Sequence, residues 1–314
     1  MFAARGARLR GASSAERPAV RSIPRETLPT APHPSPQAGS GWVGGLLGGM
    51  SAADFTNRHY LRSACSAAGG CAATTEAFGW GDLERCAVPG ADTIVAKDGA
   101  LLPDADPAAA LAAGASFAVR HAERQHPLLG SIAAVAALAH AGSIDVQVHA
   151  TAADAVGFAW HFDPEEVFVL QCRGAKEWFV RENTVHARPL LEAMPAALGY
   201  DRETSPIMRC RLEPGDWLYI PGGWWHVARA GAQRSLSLAV GVMPPTPLTF
   251  VDALRTALAN DPSWRRRLAD PSEAMAALAW MGEEIARRLP GITRVDDLVA
   301  EQRRTAARML GAHR

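Results

Sequence analysis

The stretch His161-Phe162-Asp163-Pro164-Glu165-Glu166-Val167-Phe168-Val169-Leu170-Gln171-Cys172-Arg173-Gly174-Ala175-Lys176-Glu177-Trp178-Phe179-Val180 decides the fold. Val167 to Gln171 is a short apolar run bounded by turn signals, the pattern of a buried strand. Arg173-Gly174-Ala175 is a turn, and Glu177 to Val180 is the returning strand. Upstream, Ile144-Asp145-Val146-Gln147-Val148-His149 alternates apolar and polar residues, the period-two signature of a half-buried strand. Downstream, Met208 to Leu212 leads into the turn Glu213-Pro214-Gly215-Asp216, then the strand Trp217 to Ile220. A second turn at Pro221-Gly222-Gly223 precedes Trp225 to Arg229, and Ser235 to Val240 closes the series. Short strands with Gly and Pro punctuation predict an antiparallel sandwich or barrel.

Helical texture flanks this centre. Ser51 reads as an N-cap with Asp54 three positions on, followed by apolar Phe55 and Tyr60. Ala67 to Val88 mixes helical stretches with turns. Leu101 to Leu138 reads as two amphipathic helices, split by Gly114 and by His126-Pro127. After Pro244-Pro245, the pairs Thr246-Pro247 and Asp261-Pro262 place a capping side chain before a proline at the first helical position. Asp270-Pro271-Ser272-Glu273 repeats this with a capping-box glutamate, so helices are expected to about Leu310. The class is therefore α+β. The expected organisation is a helical part over 51–143, a barrel over 144–245 and a helical segment over 246–314.

Residues 1–50 differ in kind, being rich in Ala, Arg, Pro, Ser and Gly without apolar periodicity. They read as a disordered tail, or as the product of an upstream start with Met50 as the working one. The whole chain is 48% hydrophobic and 20% charged, with a formal net charge of zero. That balance provides no field to attract nucleic acid or an acidic membrane. No apolar run is long enough to span a bilayer. Five scattered cysteines without a CxxC pair read as reduced thiols of a cytoplasmic protein.

His161-Phe162-Asp163 is the sharpest chemical feature. On a strand, residues two apart face the same side, so an imidazole and a carboxylate are presented together. His226, just past a tight turn at the start of another strand, is the best third ligand. Two histidines and one carboxylate leave three positions of an octahedral iron(II) open.

His161 to Gln171, followed by Gly174-Ala175-Lys176-Glu177-Trp178, resembles the metal-binding core of JmjC-type oxygenases. Within these it is most similar to the cupin-like subgroup containing the ribosomal oxygenases. The run Pro214-Gly215-Asp216-Trp217 to His226 and Ser235 to Gly241 match the later half of that core. The resemblance implies a double-stranded β-helix (cupin, jelly-roll) barrel and a 2-oxoglutarate-dependent dioxygenase. It implies that His161, Asp163 and His226 bind iron(II), that Lys176 anchors the distal carboxylate of 2-oxoglutarate, and that dioxygen is the second co-substrate. Ser235, Ser237 and Gln147 are softer candidates for co-substrate contacts. His149 departs from the Asn, Tyr or Ser that the family places nearby. Hydroxylation of a protein or peptide side chain is expected ahead of demethylation, with a small-molecule substrate as the alternative. The C-terminal helices are an expected homodimer surface. Two other classes stay open: a non-oxidative metal-dependent cupin isomerase or lyase, and a non-catalytic peptide-binding barrel.

Overall fold

A computed structural model describes residues 50–140, 142–188, 199–268 and 270–292. The expected tail over 1–50 and the helical continuation beyond Ile292 lie outside them, Met50 excepted. The helices are α1 (Ala52–Arg58), α2 (Ala72–Glu76), α3 (Trp80–Cys86), α4 (Pro107–Ala112), α5 (Pro127–Ala139), α6 (Pro247–Ala259) and α7 (Pro271–Ile292). The strands are β1 (Cys65–Ala67), β2 (Thr93–Lys97), β3 (Ala100–Leu101), β4 (Ser116–Val119), β5 (Ser143–Thr151), β6 (Glu166–Arg173), β7 (Lys176–Arg181), β8 (Met208–Leu212), β9 (Trp217–Ile220), β10 (Trp225–Ala230) and β11 (Ser235–Met243). They form one sheet in the order β1-β9-β6-β11-β5-β4-β2-β3 and a second in the order β10-β7-β8.

Alternation along each strand builds two cores. Val167 and Val169 of β6 and Leu218 and Ile220 of β9 meet Trp178 and Val180 of β7 and Leu212 of β8 between the sheets. The opposite face of the large sheet carries Phe168, Leu170, Trp217, Tyr219, Leu236, Leu238, Val146 and Val148. That face is covered by Phe55 of α1, Leu83 of α3 and Leu129 and Ile132 of α5. Val167 to Leu170 reads as an unbroken apolar run because both faces of β6 are buried. Gly174 makes the β6–β7 turn at φ +62°, where a Cβ would collide with the Arg234 carbonyl.

The caps expected at Ser51 and Asp270 are present, the latter through bonds from the Ser272 and Glu273 amides, and the structure adds one at Asp106. Three expectations need correction. The part before residue 144 is not purely helical, since β1 to β4 lie in it and extend the large sheet. Ser116–Val119 sits in an Ala-rich stretch of helical composition, and its pairing with β5 (Ser116↔Thr151, Val119↔Val148) overrides local propensity. Asp261-Pro262 starts only a 3₁₀ turn, Pro262–Arg265. His161-Phe162-Asp163 is not on a regular strand either: residue 161 makes a single antiparallel bridge to His226, and Val156 makes another to Arg229. That extended segment therefore lines the free side of β10. No helix among the described residues is long and apolar enough to cross a membrane.

Candidate active site

The two halves of the metal motif are held together by backbone. The His161 amide donates to the His226 carbonyl at 3.2 Å, and the His226 amide returns a bond to His161 at 2.8 Å. Gly223 donates to the Asp163 carbonyl at 2.6 Å, tying the Pro221-Gly222-Gly223 turn to the same segment. The side chains converge: Asp163 Oδ2 lies 3.4 Å from His226 Nε2 and 4.0 Å from His161 Nε2. One ligand atom from each of the three lies within 4.8 Å of the others.

Both imidazoles are oriented for ligation. His161 Nδ1 is 2.7 Å from the Ala159 carbonyl, and His226 Nδ1 is 3.0 Å from the Trp224 carbonyl. A carbonyl only accepts, so each Nδ1 carries a proton and each Nε2 is the nitrogen turned toward Asp163 and available to a metal. Burial pushes the Asp163 carboxyl up, but the contact with His226 and the field of His161 outweigh it, leaving a carboxylate below the ordinary range. Burial and the neighbouring His226 push His161 down. A neutral imidazole and an ionised carboxylate are the forms that bind a divalent metal.

Lys176 opens β7 immediately after the Gly174 turn, and only 4% of it is exposed. Its Nζ donates to Ser237 Oγ at 3.3 Å, and no carboxylate lies within ion-pair distance of it among the described residues. Burial pushes the ammonium down to about 8. The Trp178 ring lies 5.7 Å from Lys176 Nζ and 6.2 Å from the His226 ring, so one indole spans the wall between the lysine and the triad. His149 is the cross-strand partner of Ser237. Burial, then the Lys176 charge, pushes it down to about 3, so it is a neutral imidazole facing both the lysine and the triad.

The softer candidates take different places. Ser235 is fully buried, and its hydroxyl accepts from Gln171 Nε2 at 2.8 Å. Gln147 donates its amide to Asp145 Oδ2 at 2.8 Å. Of the neighbours of Lys176, Ser237 is one of the softer candidates, whereas Trp178 was missed; strand alternation from Lys176 was the available signal for it. Trp217, Tyr219 and Trp225 are fully buried. The half-buried Trp160 stacks on Tyr200 at 4.2 Å, and Tyr200 packs edge-on against Trp225 at 5.4 Å. A second group, His121, Glu123 and Asp145, is equally close-set but already hydrogen-bonded. Asp145 accepts from the His121 amide and from Gln147, and Glu123 accepts from the Val146 amide.

Residues 131–250 match the JmjC domain. Human ribosomal oxygenase 1 is 38% identical over 81 residues, 26% of this chain and 13% of that protein. The bifunctional lysine-specific demethylase and histidyl-hydroxylase NO66 of Drosophila persimilis is 38% identical over 85 residues, 27% of this chain and 12% of that protein. The matched region thus spans about an eighth of the length of these relatives. Among solved structures, the Escherichia coli ribosomal oxygenase YcfD with cobalt and 2-oxoglutarate aligns with a TM-score of 0.51 at 18% identity, covering 76% of this chain and 67% of that one. Another structure of E. coli ycfD aligns with a TM-score of 0.52 at 16% identity over 76% and 68% of the two chains. The chain therefore carries a JmjC domain, built on the double-stranded β-helix fold that the bacterial enzyme shares.

Proposed function

We propose that this protein is an iron(II)- and 2-oxoglutarate-dependent oxygenase that hydroxylates a protein or peptide side chain. The observation that carries the reading is Lys176: a buried ammonium without a counter-ion among the described residues, in the same interior as a two-histidine, one-carboxylate triad. Burying a charge unpaired is expensive, and an incoming carboxylate offsets that cost. A keto acid with carboxylates at both ends fits, one end on the metal and the other on Lys176. The donor set suits iron(II), which His161, Asp163 and His226 would hold. When bound, the iron supplies the redox chemistry by which dioxygen converts 2-oxoglutarate to succinate and carbon dioxide and places one oxygen atom in a substrate C–H bond.

The chain's own residues do the rest. The Ala159 and Trp224 carbonyls aim the two Nε2 atoms. Ser237 steers the Lys176 ammonium. Trp178 and the apolar wall of Val167, Val169 and Leu218 keep water from the interior. The relatives named for histidyl hydroxylation and the one solved with cobalt and 2-oxoglutarate support this reading over a non-oxidative cupin enzyme. A purely peptide-binding barrel has no use for Lys176. Exposed Leu248, Val251, Met275 and Leu278 on α6 and α7 support a homodimer through the C-terminal helices. Five unpaired thiols suit a reducing, cytoplasmic setting.

Anaerobic addition of 2-oxoglutarate to the iron(II)-loaded protein tests the site directly. A weak visible charge-transfer band is expected; bound metal without that band favours the non-oxidative cupin reading. Mass spectrometry of cellular proteins with and without the gene, searching for the gain of one oxygen atom, identifies the substrate.

A further inference from the structure

The Pro221-Gly222-Gly223 turn presents His226, and something must fix that turn relative to His161 and Asp163. One bond is the Gly223 amide on the Asp163 carbonyl. The other side of the turn meets Glu166, whose Oε1 accepts the Gly222 amide at 3.1 Å. Its Oε2 accepts the Tyr219 hydroxyl. Tyr219 is fully buried, and its oxygen in turn accepts the Leu61 amide at 2.8 Å. Glu166 itself is 6% exposed, and no cation lies within ion-pair distance of it among the described residues. A buried carboxylate held by one hydroxyl and one amide is costly where an apolar residue would fit the same space. The approach is also close: a Cβ on Gly222 would sit 2.6 Å from the Pro164 carbonyl and 3.0 Å from Glu166 Oε1.

We propose that Glu166 is a positioning residue for the metal centre. Its carboxylate locks the Pro221–Gly223 turn against the segment carrying His161 and Asp163, so that His226 stands at ligating distance before a metal arrives. The inference rests on the metal-binding reading above and extends it beyond the residues that would touch the ion. Glu166 reaches the metal only through backbone, so its effect is on metal affinity and coordination geometry rather than on chemistry.

Titration of the metal-free protein with cobalt(II) alone tests this, reading the dissociation constant and the visible ligand-field bands. Glu166→Ala is expected to weaken binding roughly 10- to 100-fold, the range for groups that orient metal ligands, and to alter the bands. Glu166→Gln keeps an oxygen for the Gly222 amide and is expected to stay within a few-fold of wild type. Gly222→Ala drives the turn outward and is expected to match the Glu166→Ala loss. A purely structural role would lower Tm in Glu166→Ala while leaving cobalt affinity and bands unchanged, and that result overturns the proposal. If Glu166→Ala does not fold, a folded Gly222→Ala with wild-type affinity overturns it equally. Wild-type protein whose cobalt binding is insensitive to His161→Ala would instead overturn the metal reading, a distinguishable failure.

Discussion

At the open end of the barrel, charge is held in company: Asp163 lies 3.4 Å from one imidazole and 4.0 Å from another, and its side chain is 41% exposed. At the closed end, Lys176 is 4% exposed and touches one hydroxyl. On the proposed function, the open end is a set of ligands for an ion. The closed end is an incomplete pair that needs an anion. Stability alone explains neither arrangement, because apolar residues fill such positions at lower cost. A ligand with a metal-binding head and a carboxylate tail satisfies both ends at once, and four residues along β7 separate Lys176 from Val180, the partner of His226, about 13 Å at strand rise.

The sharpest way to break this comparison is at the open end. Asp163→Ala leaves two imidazoles and no carboxylate, and metal-dependent succinate formation is expected to fall to background. Turnover that survives the change would disprove the triad. At the closed end, Lys176→Ala removes one partner of a buried charge pair, an effect of about 2–5 kcal/mol on 2-oxoglutarate binding. Anaerobic titration of the metal-loaded protein reads it, and an unchanged dissociation constant would hand the distal carboxylate to another group. Stability should move the other way: Lys176→Met removes an ammonium without a counter-ion, so the ligand-free protein gains about 1 kcal/mol, seen as a higher Tm.

Protonation sharpens the same contrast. The ligand-free lysine loses its proton near pH 8 instead of 10.5, and only the ammonium form pairs with a carboxylate. Affinity for 2-oxoglutarate is therefore flat below pH 8 and falls roughly tenfold for each pH unit above it. A flat profile to pH 10 would contradict the buried-ammonium account. The ligand-free fold behaves oppositely: between 8 and 10.5 its unfolded state binds more protons, so its stability rises with pH across that window. The smallest expected effect belongs to Ser237→Ala, about 0.5–1.5 kcal/mol on 2-oxoglutarate binding, because one neutral hydroxyl is lost. The matching Ser235→Ala change should leave binding alone, since that hydroxyl is bonded to Gln171.

The two ends also differed in how legible they were. His161 and Asp163 announce themselves because two ligands lie two residues apart, and His226 because a Pro-Gly-Gly turn precedes it. Lys176 was found only through resemblance, as a lysine after a glycine turn is by itself an ordinary hairpin residue. Ser237 and Ser235 are indistinguishable by composition; which one meets Lys176 depends on cross-strand register. Glu166 gives no sign either, because its partners Gly222 and Tyr219, and Leu61 beyond Tyr219, are far away in sequence. Strands β5 to β11 were readable from alternation and turn residues. β1 to β4 were not, because short segments such as Ser116–Val119 become strands only when β5 offers an edge.

By itself, then, the sequence determined the class, the central strands and three candidate metal ligands, since local periodicity, turn chemistry and close spacing are properties of neighbouring residues. Only the tertiary structure decided that the lysine is buried with no counter-ion among the described residues, that Ser237 rather than Ser235 meets it, and that Glu166 braces the turn bearing His226. Those are facts of burial and cross-strand contact, set when distant segments are brought together, and no local pattern encodes them.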